Sequence, residues 1–441
     1  MAQILHLIGV RPVWDHNGIV ADLELVPVAE LGRPRIDVVI QAASLFRDTF
    51  PDRMEFLDKA VRLAAGAADG ENFIADHVEE SQIALKRAGM SAEDARLYAG
   101  ARVFSNNVGG YGTGVIDNTI RSGEFEDTAQ LTEEYLARVG AVYTEGAEWG
   151  ANIDGLYKQA LAGTEAVSLS RSTNVISPLT LDHYFEYLGG MTMAVRDTTG
   201  TSPETYVSDV RDVERGRLET VRETLTRDLR GKYWNPRWIQ EQQDEGFSGA
   251  VEISQTATNL FGWQVTKPEA IDDYVWDEVE RVYVEDSLEL GLPEWFDQEN
   301  PYALQNVTAV LIEAARKEYW DAEEEALRRV ANRYARSVAD HGPAGDSRTV
   351  DNAAFQEFLG QALAAPGNVE GATILTSYQS SVDRAAGLAG AEVVQGRRLV
   401  RTSEESSAPG SDTNGFNSWL LLAVAVLGTA LLIGVKLRKQ L

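Results

Sequence analysis

The sequence contains no cysteine in its 441 residues. That excludes a disulfide framework, a zinc–thiolate or iron–sulfur centre and a cysteine nucleophile, so any metal must be met by His, Asp, Glu or a bound ligand. It leaves the redox compartment open. Histidine is scarce as well, with 5 copies, and none falls in an H-E-x-x-H or multi-histidine pattern. There is no G-x-S-x-G elbow for a Ser-His-Asp hydrolase and no G-x-x-x-x-G-K-[ST] loop for a nucleotide phosphate. Positive charge is in deficit: 40 Lys+Arg, of which 8 are Lys, stand against 68 Asp+Glu and give a net charge of −28. A surface this negative repels a phosphate backbone, so nucleic acid is excluded as an expected partner and basic protein surfaces are favoured.

The 44% hydrophobic fraction is ample for sizeable cores. Gln3–Val10 and Asp37–Ala42 read as short buried strands, the second a β-branched run after Arg33-Pro34-Arg35. Helical periodicity then dominates. Arg53–Ala67, Asp76–Ala88 and Thr128–Val139 carry apolar residues at three- and four-residue spacing. Arg211–Leu229 alternates acidic and basic residues and predicts one exposed helix, and Tyr302–His341 predicts one long helix or a broken pair. Asn352–Ala364 and Ala372–Ala389 read as a helical hairpin separated by Ala365-Pro366-Gly367. The body is expected to be helix-rich α/β.

One long uncharged run closes the chain. Trp419–Val435 spans 17 residues without a charge and is followed by Lys436, Arg438 and Lys439. This predicts a single C-terminal transmembrane helix over 419–435, with a flexible linker before it (401–418) and a basic cytoplasmic tail after it (436–441). The positive-inside rule puts the body on the extracytoplasmic side, whereas the N-terminal MAQILHLIGVRPVW has no secretory signal. A tail-anchored cytoplasmic protein and the C-terminal piece of a longer exported chain both satisfy these two signals.

Three segments could carry chemistry. In Arg102–Val115, four glycines fall within six residues around Tyr111, which suits a loop that wraps a ligand, with Asn106, Asn107 and Thr113 as polar contacts; a plain strand-to-helix connection explains it as often. Leu181–Gly190 sets His183 and Glu186 three residues apart, on one helical turn, able to face one metal or one proton path, against the plainer reading of surface residues on an aromatic helix. Lys232–Ile239 gathers Trp234 and Trp238 around Arg237 at a helix-breaking Asn235-Pro236, where rings and a guanidinium can stack on a planar ligand or simply pack a helix junction.

These segments, in this order, resemble the C-terminal part of the cobaltochelatase large subunit (CobN) and magnesium chelatase H subunit family. The resemblance rests on Leu7–Trp14, Leu31–Val38, Phe46–Pro51, Arg102–Phe104 with Gly110–Gly114, Tyr184–Met191, Asn235–Trp238, Gly246–Ala250 and Asn300-Pro301, and runs from about residue 4 to 325. It implies a chelatase-like domain over 1–340, a helical extension over 341–400, and a metal-insertion machine for tetrapyrroles. The implied metal is divalent, Co2+ first with Mg2+ or Fe2+ as alternatives, and the acceptor is a corrin, hydrogenobyrinic acid diamide, in cobalamin biosynthesis. ATP enters only through separate ATPase motor subunits, and an N-terminal large-subunit chain would be a partner if the gene is split. On this resemblance Arg102, Gly110, Tyr111, Gly112, Trp234, Arg237 and Trp238 are expected at the tetrapyrrole, and His183 with Glu186 at the catalytic step, His183 also as metal ligand. The chain departs from the family pattern at Leu188 and Glu245, where the family carries histidine. An outward-facing body would have no access to the motor, and the alternative is then an extracytoplasmic haem- or tetrapyrrole-binding or dechelatase component.

Overall fold

The computed structural model describes residues 1–116, 125, 127–344, 349–389 and 431–436. Strands β1 (Val10–Trp14) and β2 (Val20–Leu25) form an antiparallel hairpin. The remaining strands are β3 (Asp37–Ala42), β4 (Val103–Ser105), β5 (Ala141–Val142), β6 (Ala151–Asn152), β7 (Thr164–Arg171), β8 (Glu204–Asp209), β9 (Arg217–Thr220) and β10 (Leu431–Lys436). They build one sheet in the order β6-β5-β4-β3-β10-β7-β8-β9. β3 pairs β4 in parallel, and β7 pairs β8 in parallel. Because β10 is antiparallel to both β3 and β7, these four strands point the same way and deliver their C-terminal ends to one edge of the sheet.

β3 shows why the β-branched run forms a central strand. All six of its residues are buried. Val38, Ile40 and Ala42 face a cluster built with the helices Ala2–Ile8 and Pro51–Ala65, while Val39 faces the larger core on the other side. A strand covered on both faces has no polar alternation to show. The larger core is helical. The helix Phe247–Thr266 packs against Pro301–Arg316, which packs in turn against Glu324–His341, and the hairpin Ala353–Leu363 and Val369–Ala389 lies against that last helix. The helix-rich α/β expectation holds, and the Tyr302–His341 pattern resolves into a broken pair with Glu318 at φ 58° in the break.

Three expectations are corrected. Gln3–Val10 is mostly the helix Ala2–Ile8, because the buried residues are Ile4, Leu5 and Ile8, one helical face rather than alternate positions, and Gly9 ends it in the left-handed region. Arg211–Leu229 is not one helix. It contains a short 3-10 turn, then β9 paired to β8, then a new helix Val221–Asp228 opened by a Thr220–Glu223 capping box. The expected transmembrane helix is corrected at its end: Leu431–Val435 are strand, six register partners joining β10 to β3. Two parallel strands one strand-width apart present unpaired N–H and C=O groups, and an apolar segment in the slot satisfies both rows. Residues 401–430 and 437–441, with the expected linker, most of the span and the tail, lie outside the described residues. Among the described residues no helix is long and apolar enough to cross a membrane.

Candidate functional site

At the C-terminal edge of β3 and β4, three segments converge. β3 leads through Ala43 into the short helix Ser44–Thr49, and β4 leads into Asn106 and the glycine-rich loop. The third is a π-helical turn, Tyr184–Gly189, that carries Glu186. Open strand ends of this kind are where α/β sheets receive ligands, and π-turns recur at functional sites. Small residues let the turn sit this deep. A Cβ on Gly189 would lie 2.3 Å from Thr266 Oγ1, one on Gly190 would lie 2.6 Å from the Tyr135 ring, and one on Gly262 would lie 2.6 Å from the Phe185 ring.

The convergence encloses a cavity of about 270 Å3 lined by Ser44, Tyr111, Gly112, His183, Glu186 and Tyr187 among others. Glu186 is only 3% exposed. Its Oε1 accepts two hydrogen bonds from one residue, Thr113 N at 2.7 Å and Thr113 Oγ1 at 3.1 Å. Burial pushes its carboxyl above the usual range, against the pull of the Thr113 donors and of His183. His183 Nδ1 lies 2.6 Å from Asp182 Oδ1. Burial resists its protonation, but the hydrogen bond to Asp182 and the charges of Glu186 and Asp182 outweigh that, so the imidazole is raised above its ordinary value. With Asp182 holding Nδ1–H, the lone pair belongs on Nε2, the arrangement that suits a proton acceptor or a metal ligand. Among the described residues no group of three or more His, Asp or Glu side chains is placed to hold a metal ion. The cavity therefore offers an imidazole and a carboxylate, not a resident cage.

The sequence-expected residues divide. Tyr111, Gly112, His183 and Glu186 meet at this cavity, and Gly110 lies in the same loop. Arg102 does not join them. It is 1% exposed at the opposite, N-terminal end of β4, where Nε and Nη2 donate to Asp37 Oδ1 and Oδ2 at 2.9 and 3.1 Å and Nη1 donates to the carbonyls of Ala99 and Ala101. Trp234, Arg237 and Trp238 are also elsewhere. Trp238 packs edge-on to Tyr233 with Lys232 over its ring, the Trp234 indole N–H is buried without an acceptor among the described residues, and Arg237 is exposed. Their neighbour Tyr233 reaches Ser177 Oγ at 2.9 Å, at the foot of the segment leading to His183. Sequence reasoning missed Arg47, Asp48 and Asp182. The signal for the first two was a charged pair inside the apolar Phe46–Pro51.

A larger groove of about 780 Å3 lies between the β1–β2 hairpin and the helix Ala2–Ile8, lined by Leu5, Trp14, Ile19 and Phe56 among others. It has the volume, but its Arg11 and Glu30 pair with each other in solvent, and it holds no buried, perturbed acid–base pair. The smaller cavity holds such a pair, His183 and Glu186.

The family CobN/Magnesium Chelatase matches residues 1–327. The chain is 33% identical over 323 residues to the aerobic cobaltochelatase subunit CobN of Pseudomonas aeruginosa, covering 73% of this chain and 25% of that protein. It is 31% identical over 340 residues to the chloroplastic magnesium-chelatase subunit ChlH of Oryza sativa, covering 76% and 24%. Among solved structures, the catalytic subunit of cobaltochelatase from Mycobacterium tuberculosis matches with a TM-score of 0.70 at 31% identity, over 76% of this chain and 28% of that one. The chain thus spans about a quarter of the length of these relatives.

Proposed function

The chain belongs to the CobN/magnesium chelatase family, and from that premise we propose that it is a large-subunit component of a tetrapyrrole metal chelatase, with the cavity under the glycine-rich loop as its proton- and metal-handling site. The observation that carries the reading is the meeting, in one cavity, of Tyr111, the Asp182-held His183 and the buried Glu186. Inserting a divalent ion into a free-base macrocycle requires ring N–H protons to leave, two from a porphyrin and one from a corrin. Glu186 has Oε1 occupied by Thr113, so Oε2 is the oxygen left to take a proton, and His183 Nε2 is the second acceptor.

The ion is substrate here, and four of its final ligands are ring nitrogens, so an imidazole and a carboxylate suffice to hand it over. We take Co2+ and hydrogenobyrinic acid diamide as the first candidates. Mg2+ and Fe2+ stay as alternatives because Leu188 is a fully buried core residue and Glu245 an exposed one, where the family pattern carries histidine. A motor-driven reaction requires the body on the cytoplasmic side. Protection of the body from protease in right-side-out vesicles is the result expected of that reading, and cleavage there would favour the motor-independent haem or tetrapyrrole component.

A second reading, consistent with a match to about a quarter of each relative, is a noncatalytic tetrapyrrole-binding component that works only together with the rest of a large subunit. The test is metal insertion followed by absorbance, using the full chain with and without ATPase motor subunits. His183→Ala is expected to lower insertion without unfolding the body, and unchanged insertion would remove His183 from the site. Stoichiometric insertion by the isolated wild-type chain would rule out the second reading.

A further inference from the structure

The mouth of the cavity is held by two adjacent residues that the chemistry above leaves without a role, Arg47 and Asp48 on the helix Ser44–Thr49. Arg47 is 2% exposed despite its charge. Its Nη1 donates to the carbonyls of Asn106, Asn107 and Gly110, and its Nε to Asp48 Oδ1 at 2.7 Å. One guanidinium thus gathers three carbonyls of the glycine-rich loop at Nη1, whose two N–H groups are shared among them, while its separate Nε holds Asp48, a division between spaced donors that the single nitrogen of an ammonium lacks. Asp48 accepts the Tyr111 hydroxyl at 2.6 Å, and Arg47 stands 5.7 Å from the centre of the Tyr111 ring. The bond to Arg47 and that from Tyr111 outweigh burial and hold the Asp48 carboxyl below its usual range.

On its far side the loop is fastened again, by Asn106 Nδ2 to the Gly112 carbonyl at 2.7 Å and by Thr113 to Glu186. Between the two fastenings lie Gly109 and Gly112 at φ 82° and 70°, a region side-chain-bearing residues rarely enter. A Cβ on Gly109 would meet nothing within 4 Å. Tyr111, 57% exposed, therefore sits between two glycines with its hydroxyl tied to Asp48. Below it the cavity of about 270 Å3 falls short of the roughly 300–1,000 Å3 that pockets for drug-sized ligands occupy, and a tetrapyrrole belongs in that range.

We propose that Asp48 and Tyr111 form a latch over the cavity, and that Arg47 is a positioning residue that holds the loop up to the Gly110 carbonyl, so that opening is confined to Tyr111 and the peptides on either side of it. A planar macrocycle enters as the hydroxyl leaves Asp48, and the freed ring stacks on it. The inference rests on the tetrapyrrole reading for the identity of the ligand but not for the latch.

The experiment reads both. Amide hydrogen exchange of the full chain is measured without ligand, and stopped-flow fluorescence then follows association of deuteroporphyrin IX. Asp48→Ala and Tyr111→Phe are expected to speed exchange at Gly110, whose N–H donates to Asn107 O, and porphyrin association, each about three- to tenfold, the scale of one hydrogen bond. Thr113 exchange and the thermal midpoint should stay at wild-type values. Asp48→Asn, which keeps an acceptor for the hydroxyl, should restore Gly110 exchange most of the way. Arg47→Lys should speed both Gly110 and Thr113. Unchanged Gly110 exchange in Asp48→Ala, or a rise equal at Gly110 and Thr113, would overturn the latch whether or not porphyrin binds. Faster Gly110 exchange with no porphyrin binding by the wild type would keep the latch and sink the tetrapyrrole reading.

Discussion

The two ends of the β3–β4 pair carry the same kinds of residue and do opposite things. At the N-terminal end, Arg102, Asp37 and His77 form a closed set: Asp37 accepts two bonds from Arg102 and lies 3.0 Å from His77 Nδ1. At the C-terminal end, His183 and Glu186 line a cavity, with Asp182 bonded to His183 and Arg47 to the loop beside it; burial raises the Glu186 carboxyl, whereas the His183 imidazole is raised against burial by the Asp182 bond and the Glu186 and Asp182 charges. An arginine, a histidine and carboxylates are therefore not a site by themselves. What separates framework from chemistry is whether the donors and acceptors are used up on one another. A buried ion pair with every atom answered holds strands in register, and a buried carboxylate with one oxygen left over can do work.

The largest expected effect tests the open end. Glu186→Gln should lower metal insertion by about 10²–10⁴-fold, the scale of a lost acid–base group. The amide keeps an oxygen for Thr113, so the thermal midpoint should hold. The pH dependence should change as well. A carboxyl raised in the fold favours its neutral form, so in the wild type this group takes away stability as pH rises from its unfolded value, near 4.5, through the folded one. Melting curves across that window should lose that slope in the variant, and retention of the slope would assign it elsewhere.

Next comes the closed end. Arg102→Ala leaves Asp37 buried without its cation and should cost about 3–5 kcal/mol, read by chemical denaturation. Porphyrin affinity per folded molecule should hold, and an affinity loss at wild-type stability would break the comparison by making Arg102 a ligand residue. Gly189→Ala drives a Cβ against Thr266 and should cost about 1–3 kcal/mol by overpacking, with insertion falling further than stability because the π-turn carries Glu186.

Smaller still is Asp182→Asn. The Asp182 bond and charge help raise His183, so removing them should move the acid limb of the pH–activity profile to lower pH. Movement in the other direction would show that Asp182 does not act through the imidazole. Arg237→Ala, exposed and away from the cavity, should change stability by less than about 0.5 kcal/mol, and a loss of porphyrin affinity would extend the site to the Trp234–Trp238 segment.

Much of the fold was legible locally. The Thr128–Val139 helix follows its spacing and the β3 strand its β-branched run, residue for residue, since both signals live within a dozen residues. Gln3–Val10 misled because a short apolar run fits either period and only the buried partners decide. Arg211–Leu229 misled because its charges have helical spacing while Gly216 and the Thr220–Glu223 box cut it into pieces. The site was half legible. A cluster of glycines and an i, i+3 His–Glu pair are visible as strings, and both lie at the cavity.

The sequence by itself determined the family, through many short motifs in one order, and the local helices that those motifs sit on. Only the tertiary structure decided which charged residues are closed off by partners and which face the cavity. Thr113 reaches Glu186 across 73 positions, Arg47 reaches Asn106 across 59, and Arg102 reaches Asp37 across 65. Solvation decides the role of each, and solvation is set by which distant segments cover a side chain, a quantity no local spacing carries. The same holds for Leu431–Val435: an apolar run suits a bilayer or the middle of a sheet equally, and the open slot between β3 and β7 is what made it a strand.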